Sequence, residues 1–569
     1  MNQQRRAEDD ASWRQCYPVG MSEPQGDRLN LADYYLFDRL AEGLGEQPAI
    51  LFGDRRYSYA EVAERSDQLA AHFIASGLAA EQRVLTVLPD TPAFAWSFFA
   101  TLRAGGVVAM GNPAAPPDDL AYLVAYTRAR VVVTTAAVAE ALGDHLAGVN
   151  VVVGAEVETG GDVLGEVKVP PGATSLRDAL ADGARRIAGG MPSSRATKRD
   201  DLAIWLFTSG STGKSKAAMH THRDFVFNTE RYALGTVGYR AGDVTVSVPR
   251  LFFGYATGTN LMFPFRVGAT TGLFAERPTP EALAAAIERY RPTVVTNVPT
   301  MMGKLLDDDH QRQRRGEPPI DMSSVRFHLS AGEALPPDLL ERFTKRFGGE
   351  VYDGIGSAEM FHIYCTNRPG DIRPGSLGKP VEGYDVRVLP VEAEGPGAAP
   401  CPPGESGVMW VKGDSVALGY FQDRPKSWAT FHGHWCRTGD LFRVDEEGYF
   451  WFEGRADDLL KVGGIWVAPV EVEACIDAHE AVSSVAVIGC EVDGLVKPKA
   501  FVVRRPEVAD QSEEALAASI KTWVQERLSK HKYPRLVCFV DELPKNDRGK
   551  IDRKELKRRE AAGDNPVGW

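Results

Sequence analysis

From about residue 56 the chain alternates short apolar runs with longer amphipathic stretches. Arg83–Pro89 (RVLTVLP) reads as a strand and Ala93–Arg103 as the helix after it. Pro280–Pro292 reads as a helix and Thr293–Val298 as a strand. Such alternation predicts parallel sheets with helices on both faces. Glu392–Glu405 (EAEGPGAAPCPPGE) has the Pro/Gly content of a surface loop. Past it, strand signals crowd together: GVMWVKG, GYFWFEG and Ile465–Val467. A boundary is expected near Arg455–Asp458, dividing residues 1–456 from a smaller domain at 457–569. That domain has strands at Val482–Gly489 and Lys499–Val503, and a helical stripe of Leu516, Ile520, Val524 and Leu528. The charged tail from Lys550 onward reads as mobile at its end.

Composition narrows the classes. With 569 residues, 44% hydrophobic and 25% charged, the chain can bury a core without disulfide or metal staples. A net charge of −12 argues against nucleic acid or an anionic membrane as partner. Seven scattered cysteines form no CxxC or Cys/His cluster, so free thiols in a reducing compartment are expected rather than a zinc site. The opening MNQQRRAEDDASWRQ lacks the apolar stretch of a secretory signal. No apolar run reaches the ~18 residues of a spanning helix. A cytoplasmic protein is expected.

The sharpest local signal is Leu206–Lys216, LFTSGSTGKSK. An apolar run enters a loop of glycines, hydroxyls and lysines. Freed N–H groups and hydroxyls in such a loop suit a phosphate chain. A P-loop is one reading: Gly213, Lys214 and Ser215 fit its end, but Thr208 stands where its opening glycine belongs. The other is the T-S-G-[ST]-T-G-x-P-K-G loop of adenylate-forming enzymes. Thr208, Ser209, Gly210, Ser211, Thr212 and Gly213 match it without a gap, with Lys216 as its lysine, while Ser215 and Ala217 depart from it.

Further blocks follow in one order: Arg56–Glu61, Leu102–Gly106, Leu251–Tyr255 (LFFGY), Ser330–Pro336 (SAGEALP), Asp353–Ile363 (DGIGSAEMFHI), Arg437–Asp440 (RTGD), Gly454–Gly464 (GRADDLLKVGG), Asp493–Lys499 (DGLVKPK) and Pro544–Lys550 (PKNDRGK). On these the chain resembles the acyl-CoA synthetase, luciferase and adenylation-domain superfamily. Within it the chain is similar to benzoate-CoA ligases and related aryl-CoA ligases, from about Ala49 to Leu556.

The resemblance implies a fold and a chemistry. The fold is α/β: a large N-terminal domain of parallel-sheet subdomains with a β-barrel-like subdomain, and a small mobile α+β C-terminal domain. ATP activates a benzoate-type carboxylate as acyl-AMP with pyrophosphate release, and the thiol of coenzyme A then displaces AMP. A carrier-protein phosphopantetheine thiol is the alternative acceptor. Two anions must meet in the first step, so cations and N–H donors should carry most of the rate.

The resemblance also assigns roles. Lys550 bridges carboxylate and α-phosphate. Glu359 holds Mg²⁺. Asp440 takes the ribose hydroxyls with help from Arg455. Gly332, Glu333, Asp353, Gly354, Ser357 and Ala358 line the nucleotide site with the phosphate loop. Asp457 is the hinge of a rotation that exchanges Lys550 for the Lys461 face, where Gly463 and Gly464 admit the pantetheine arm. Phe252, Phe253, Gly254, Tyr255, His362 and Ile363 bound a flat aryl pocket. Ala358 replaces a threonine usual in the family, and Asn297 stands where glycine is usual. A buried Asn297 side chain wants a partner, either a hydroxyl or amino substituent of the acid or neighbouring backbone.

Overall fold

The structure is a computed structural model that describes residues 27–209, 214–462, 465–492, 495–508, 510–544, 551–566 and 568. The chain divides into two compact units: Met1–Val386 with Val411–Cys436, and Arg387–Trp410 with Arg437–Trp569.

Two large sheets dominate the first unit. The nine-stranded sheet has Glu350–Gly356, Phe327–Ala331, Val294–Asn297, Val244–Ser247, Thr270–Leu273 and Pro48–Phe52 side by side and parallel. Val294–Asn297 and Phe327–Ala331 are buried along their whole length. The first of these, VVTN, accordingly lacks the apolar/polar alternation of a half-exposed strand. The seven-stranded sheet is parallel except for its last strand, Ser215–Thr221, which folds back antiparallel on Leu202–Ser209. A five-stranded sheet between Asp385 and Arg455 supplies the barrel-like part.

The alternation read from the sequence is realised closely. Pro92–Arg103 follows strand Arg83–Val87. Pro280–Tyr290 begins with Thr279 accepting from the Ala282 N–H and with proline in its first turn, then leads into Val294–Asn297. Helix Tyr59–Ala75 starts at a capping box in which Ser58 and Glu61 satisfy each other's backbone N–H. Val295 and Val351 pack under Ile287, Met302, Leu305 and Phe343 of the covering helices.

The second unit holds a three-stranded sheet of Val482–Val492, Leu495–Arg504 and Leu536–Phe539. Leu516, Ile520 and Val524 of helix Glu513–Arg527 bury their stripe against it. The charged tail is more ordered than its composition predicts: Arg553–Ala562 is a helix. Asp552 caps it by accepting from the Lys554 and Glu555 N–H groups, Leu556 is buried, and Arg553 and Lys557 pair with Glu473 and Asp458. One apolar anchor and placed counter-charges offset the polar sequence. Among the described residues no helix is long and apolar enough to cross a membrane.

Candidate active site

The parallel strands of an open α/β sheet present ligand sites at their carboxyl ends. Here those ends carry Asn297, Ser330–Ala331 and Asp353–Gly354. Beside them, the two arms of the phosphate-loop hairpin place Thr208 opposite Lys216 and Ser209 opposite Ser215. Gly210, Ser211, Thr212 and Gly213 lie outside the described residues.

Lys216 and Glu359 are joined through a residue that the motifs did not single out. Lys216 Nζ sits 3.5 Å above the Tyr420 ring, and the Tyr420 hydroxyl donates to Glu359 Oε1 at 2.6 Å. Burial and the neighbouring carboxylate push the Tyr420 phenol far up, so it stays a donor. No local pattern marks Tyr420. It meets Glu359 across 61 residues of chain.

Glu359 lies on a short 3₁₀ turn, Ala358–Met360. The Ala358 carbonyl accepts from His220 Nε2 at 2.7 Å, the Glu359 carbonyl from the Ala417 N–H at 2.9 Å, and the Met360 carbonyl from the Ser415 hydroxyl at 2.9 Å. The next residue is strained. Phe361 has φ 68° and ψ −59°, and the His362 N–H closes back on the Met360 carbonyl at 2.9 Å. This is a direct γ-turn, a rare conformation for a side-chain-bearing residue. It reverses the chain within two residues of Glu359 and sends His362 the other way.

His362 enters an aromatic cluster, with ring centroids 5.3 Å from Tyr232, 5.2 Å from Tyr255 and 4.8 Å from Phe263. Its Nε2 donates to the Tyr255 carbonyl at 3.0 Å, and burial pushes the ring down to about 3, so it is neutral with Nδ1 as an acceptor. Among the described residues, His362 Nδ1 and the Tyr255 hydroxyl are buried without hydrogen-bond partners. Ile363 is buried behind them, and Phe253 packs on Phe252 at 4.4 Å. A Cβ at Gly254 would approach the Leu206 side chain at 3.2 Å, so a larger residue would crowd that side of the cluster.

Asn297 does not join this cluster. Asn297, Ser330 and Asp353 are laterally paired, so they share one face of the sheet. Two residues back, Val295 and Val351 pack under the helices on that face. The aromatic cluster lies on the other face, reached through Tyr239, whose ring meets both Phe263 and Phe327. Asn297 Oδ1 takes the Val298 N–H at 2.9 Å, leaving Nδ2 buried and unpartnered among the described residues. Asp353 Oδ1 is likewise unpartnered. Burial pushes the Asp353 carboxyl up to about 8, against the Ser330 hydroxyl and Gly354 N–H beside it. It is mostly protonated at neutral pH. Buried polar atoms left open this way mark a place for a ligand or water.

The remaining nucleotide candidates have local work of their own. Glu333 Oε2 accepts from the Thr300 N–H at 3.0 Å and hydroxyl at 2.7 Å, tying the SAGE segment to the start of helix Pro299–Arg315. Gly332 has φ 89°, a left-handed position suited to glycine. A Cβ at Gly354 would stand 2.8 Å from Thr366 Oγ1. The Ser357 hydroxyl is buried and unpartnered among the described residues.

In the second unit Asp440 faces Arg455 across an antiparallel pair, with Arg455 Nη1 2.7 Å from Asp440 Oδ1. Asp457 lies in the 3₁₀ turn Ala456–Asp458 directly after Arg455. Lys461 is exposed on strand Leu460–Val462. Gly463, Gly464 and Lys550 lie outside the described residues. No group of three or more His, Cys, Asp or Glu side chains among the described residues is arranged to hold a metal.

Residues 37–421 match the AMP-binding enzyme family, and residues 471–550 match the AMP-binding enzyme C-terminal domain. The chain is 37% identical over 533 residues to a benzoate–CoA ligase of Thauera aromatica, covering 93% of this chain and 96% of the relative. A solved benzoate CoA ligase from Burkholderia xenovorans is 36% identical, with TM-score 0.79 over 93% of this chain and 99% of that one. A solved anthranilate CoA ligase in complex with anthranoyl-AMP is 33% identical, with TM-score 0.82 over 95% of this chain and 98% of that one. With both parts of the family matched in order and nearly the whole length aligned, the chain belongs to the AMP-binding enzymes.

Proposed function

We propose that this enzyme is an ATP-dependent aryl acid–CoA ligase. The observation that carries this reading is the segment Ser357–Ile363. Its first half stands beside the phosphate-loop hairpin through Tyr420, and the γ-turn delivers its second half into the aromatic cluster. A carboxylate on a ring in that cluster and the α-phosphate of ATP would meet along these few residues. Relatives named benzoate– and anthranilate–CoA ligases support the substrate class.

In this reading Lys216 and the loop N–H groups hold the triphosphate, and the aromatic cluster fixes the ring. Lys550 neutralises the approaching anions as the carboxylate displaces pyrophosphate. Glu359 suits Mg²⁺: a single half-buried carboxylate, with Oε1 oriented by Tyr420, can complete a coordination shell made mostly of phosphate oxygens and water. The metal would supply charge neutralisation at the phosphates. Asp440, oriented by Arg455, accepts the ribose hydroxyls. Asp353, Gly354, Gly332, Glu333, Ser357 and the Ala358 backbone bound the adenosine. Rotation about Asp457, between domains 1–456 and 457–569, would then replace Lys550 by Lys461, Gly463 and Gly464 for attack by the CoA thiol. The cytoplasm, where CoA and ATP are available, is the proposed location.

We assign a polar ring substituent to the Tyr255 hydroxyl and His362 Nδ1, two of the unpartnered atoms among the described residues on the aromatic face. Asn297, across the sheet with Asp353, is assigned to the nucleotide side. Asn297→Gly should therefore raise the KM for ATP and leave the preference among acids unchanged. A collapsed preference for a hydroxy- or aminobenzoate would return Asn297 to the aryl pocket.

The test is pyrophosphate release with ATP and Mg²⁺ against benzoate, its hydroxy and amino derivatives, a cinnamate and a short fatty acid, each with and without CoA. CoA-dependent turnover favouring one aryl acid is expected. Adenylate formation without CoA-dependent turnover would point to a carrier-protein thiol, and orthophosphate release would overturn the reading.

A further inference from the structure

We propose that His220 and Asp224 are a buried positioning pair that sets the Glu359 turn for the metal–nucleotide complex; this rests on the reading of Glu359 given above. Strand Ser215–Thr221 leaves the phosphate loop with Lys216 near its start and His220 near its end. His220 is fully buried and Asp224 is 3% exposed. Both ring nitrogens face acceptors: Nε2 the Ala358 carbonyl at 2.7 Å, and Nδ1 the Asp224 Oδ2 at 2.8 Å. The Ala358 carbonyl can only accept, so Nε2 carries the proton of that contact. Asp224 also accepts from the Thr221 N–H at 3.1 Å and the Thr221 hydroxyl at 2.7 Å. Thr221 and the ring together hold the Asp224 carboxyl, which in turn fixes the imidazole edge that meets the Ala358 carbonyl.

Ala358 has no polar side chain of its own to anchor the turn. Among the described residues its carbonyl, one peptide before Glu359, takes its hydrogen bond from His220 Nε2. The Tyr420 hydroxyl then fixes the Glu359 carboxylate from the other side. The pair thus stands behind the proposed metal ligand as an outer layer that sets its position. Such partners of metal ligands are worth roughly 10–100-fold in metal affinity.

The test uses the full-length enzyme with a non-hydrolysable ATP analogue and Mn²⁺, whose binding is read by electron paramagnetic resonance. His220→Phe keeps the volume and removes both hydrogen bonds; Asp224→Asn is isosteric and replaces a carboxyl oxygen with an amide nitrogen. Thermal midpoints verify folding, and Asp224→Asn serves where His220→Phe fails to fold. We expect about tenfold weaker Mn²⁺ binding in the nucleotide complex for either variant. We also expect slower adenylation, with CoA attack on a supplied aroyl-adenylate kept within about twofold. Unchanged Mn²⁺ affinity in a folded variant, alongside a loss in Glu359→Gln, would reduce the pair to a structural role. Unchanged affinity in Glu359→Gln itself would overturn the metal reading of Glu359 and this inference with it.

Discussion

At the residue scale, the site depends on a few side chains held by atoms far away in the chain. Tyr420 is the clearest case, since its ring carries Lys216 and its hydroxyl holds Glu359. Tyr420→Phe separates the two roles by keeping the ring and removing the donor. A hydrogen bond to a charged group contributes about 1.5–3 kcal/mol, so adenylation should slow roughly 10–100-fold, with a smaller change in ATP affinity. Steady-state pyrophosphate release reads both, and an unchanged kcat would contradict the role given to the hydroxyl. Asp353 makes a prediction in stability. Its carboxyl stands at about 8 in the fold against an ordinary 3.8, so the native state holds a proton that the unfolded chain has released. That contribution is intact below about 3.8 and is lost as pH rises through about 8. Asp353→Asn should therefore gain in thermal midpoint relative to the parent as pH rises across this window. A difference that stays constant with pH would show that the carboxyl is already ionised.

Lys216, Glu359, Asp440 and Arg455 stand out in the sequence because motif spacing marks them, and their roles remain those proposed above. Tyr420 and His220 were not. Each acts through a contact that exists only once distant segments pack, and neither sits in a local pattern distinguishable from core. Asn297 shows a different limit. Its burial was legible, but the face it occupies follows from strand register, which a lone sequence does not give.

At the scale of elements, the parallel strands and their helices were legible because hydrophobic period and capping residues agree, as at Thr279–Pro280 and Ser58–Glu61. The helix Arg553–Ala562 has no clear signal in its charged sequence, because its support comes from Glu473 and Asp458, well upstream. Close packing between elements makes its own prediction. Gly258 lies where a Cβ would come within 2.6 Å of the His362 ring, which is wedged among Tyr232, Tyr255 and Phe263. Gly258→Ala should lower stability by about 1–3 kcal/mol through overpacking. It should also raise the KM for the aryl acid more than that for ATP, because the displaced ring belongs to the aromatic cluster. Equal effects on both substrates would separate His362 from the acid.

At the scale of the whole molecule, the proposed chemistry requires two half-reactions served by different residues of one chain. Lys550→Ala should abolish adenylation while leaving CoA attack on a supplied aroyl-adenylate nearly intact, and Lys461→Glu should do the reverse. Equal loss of both steps in either variant would contradict an exchange about Asp457. The proposed reaction itself can be read directly: an aryl-adenylate is made and passed to a thiol. The decisive measurement incubates enzyme, ATP, Mg²⁺ and a benzoate-type acid without CoA and identifies the nucleotide product by mass. An aryl-AMP bound to the enzyme is expected together with pyrophosphate, converted to aryl-CoA and AMP when CoA is added. ADP with orthophosphate, or the absence of adenylate with every aryl acid supplied, would contradict it.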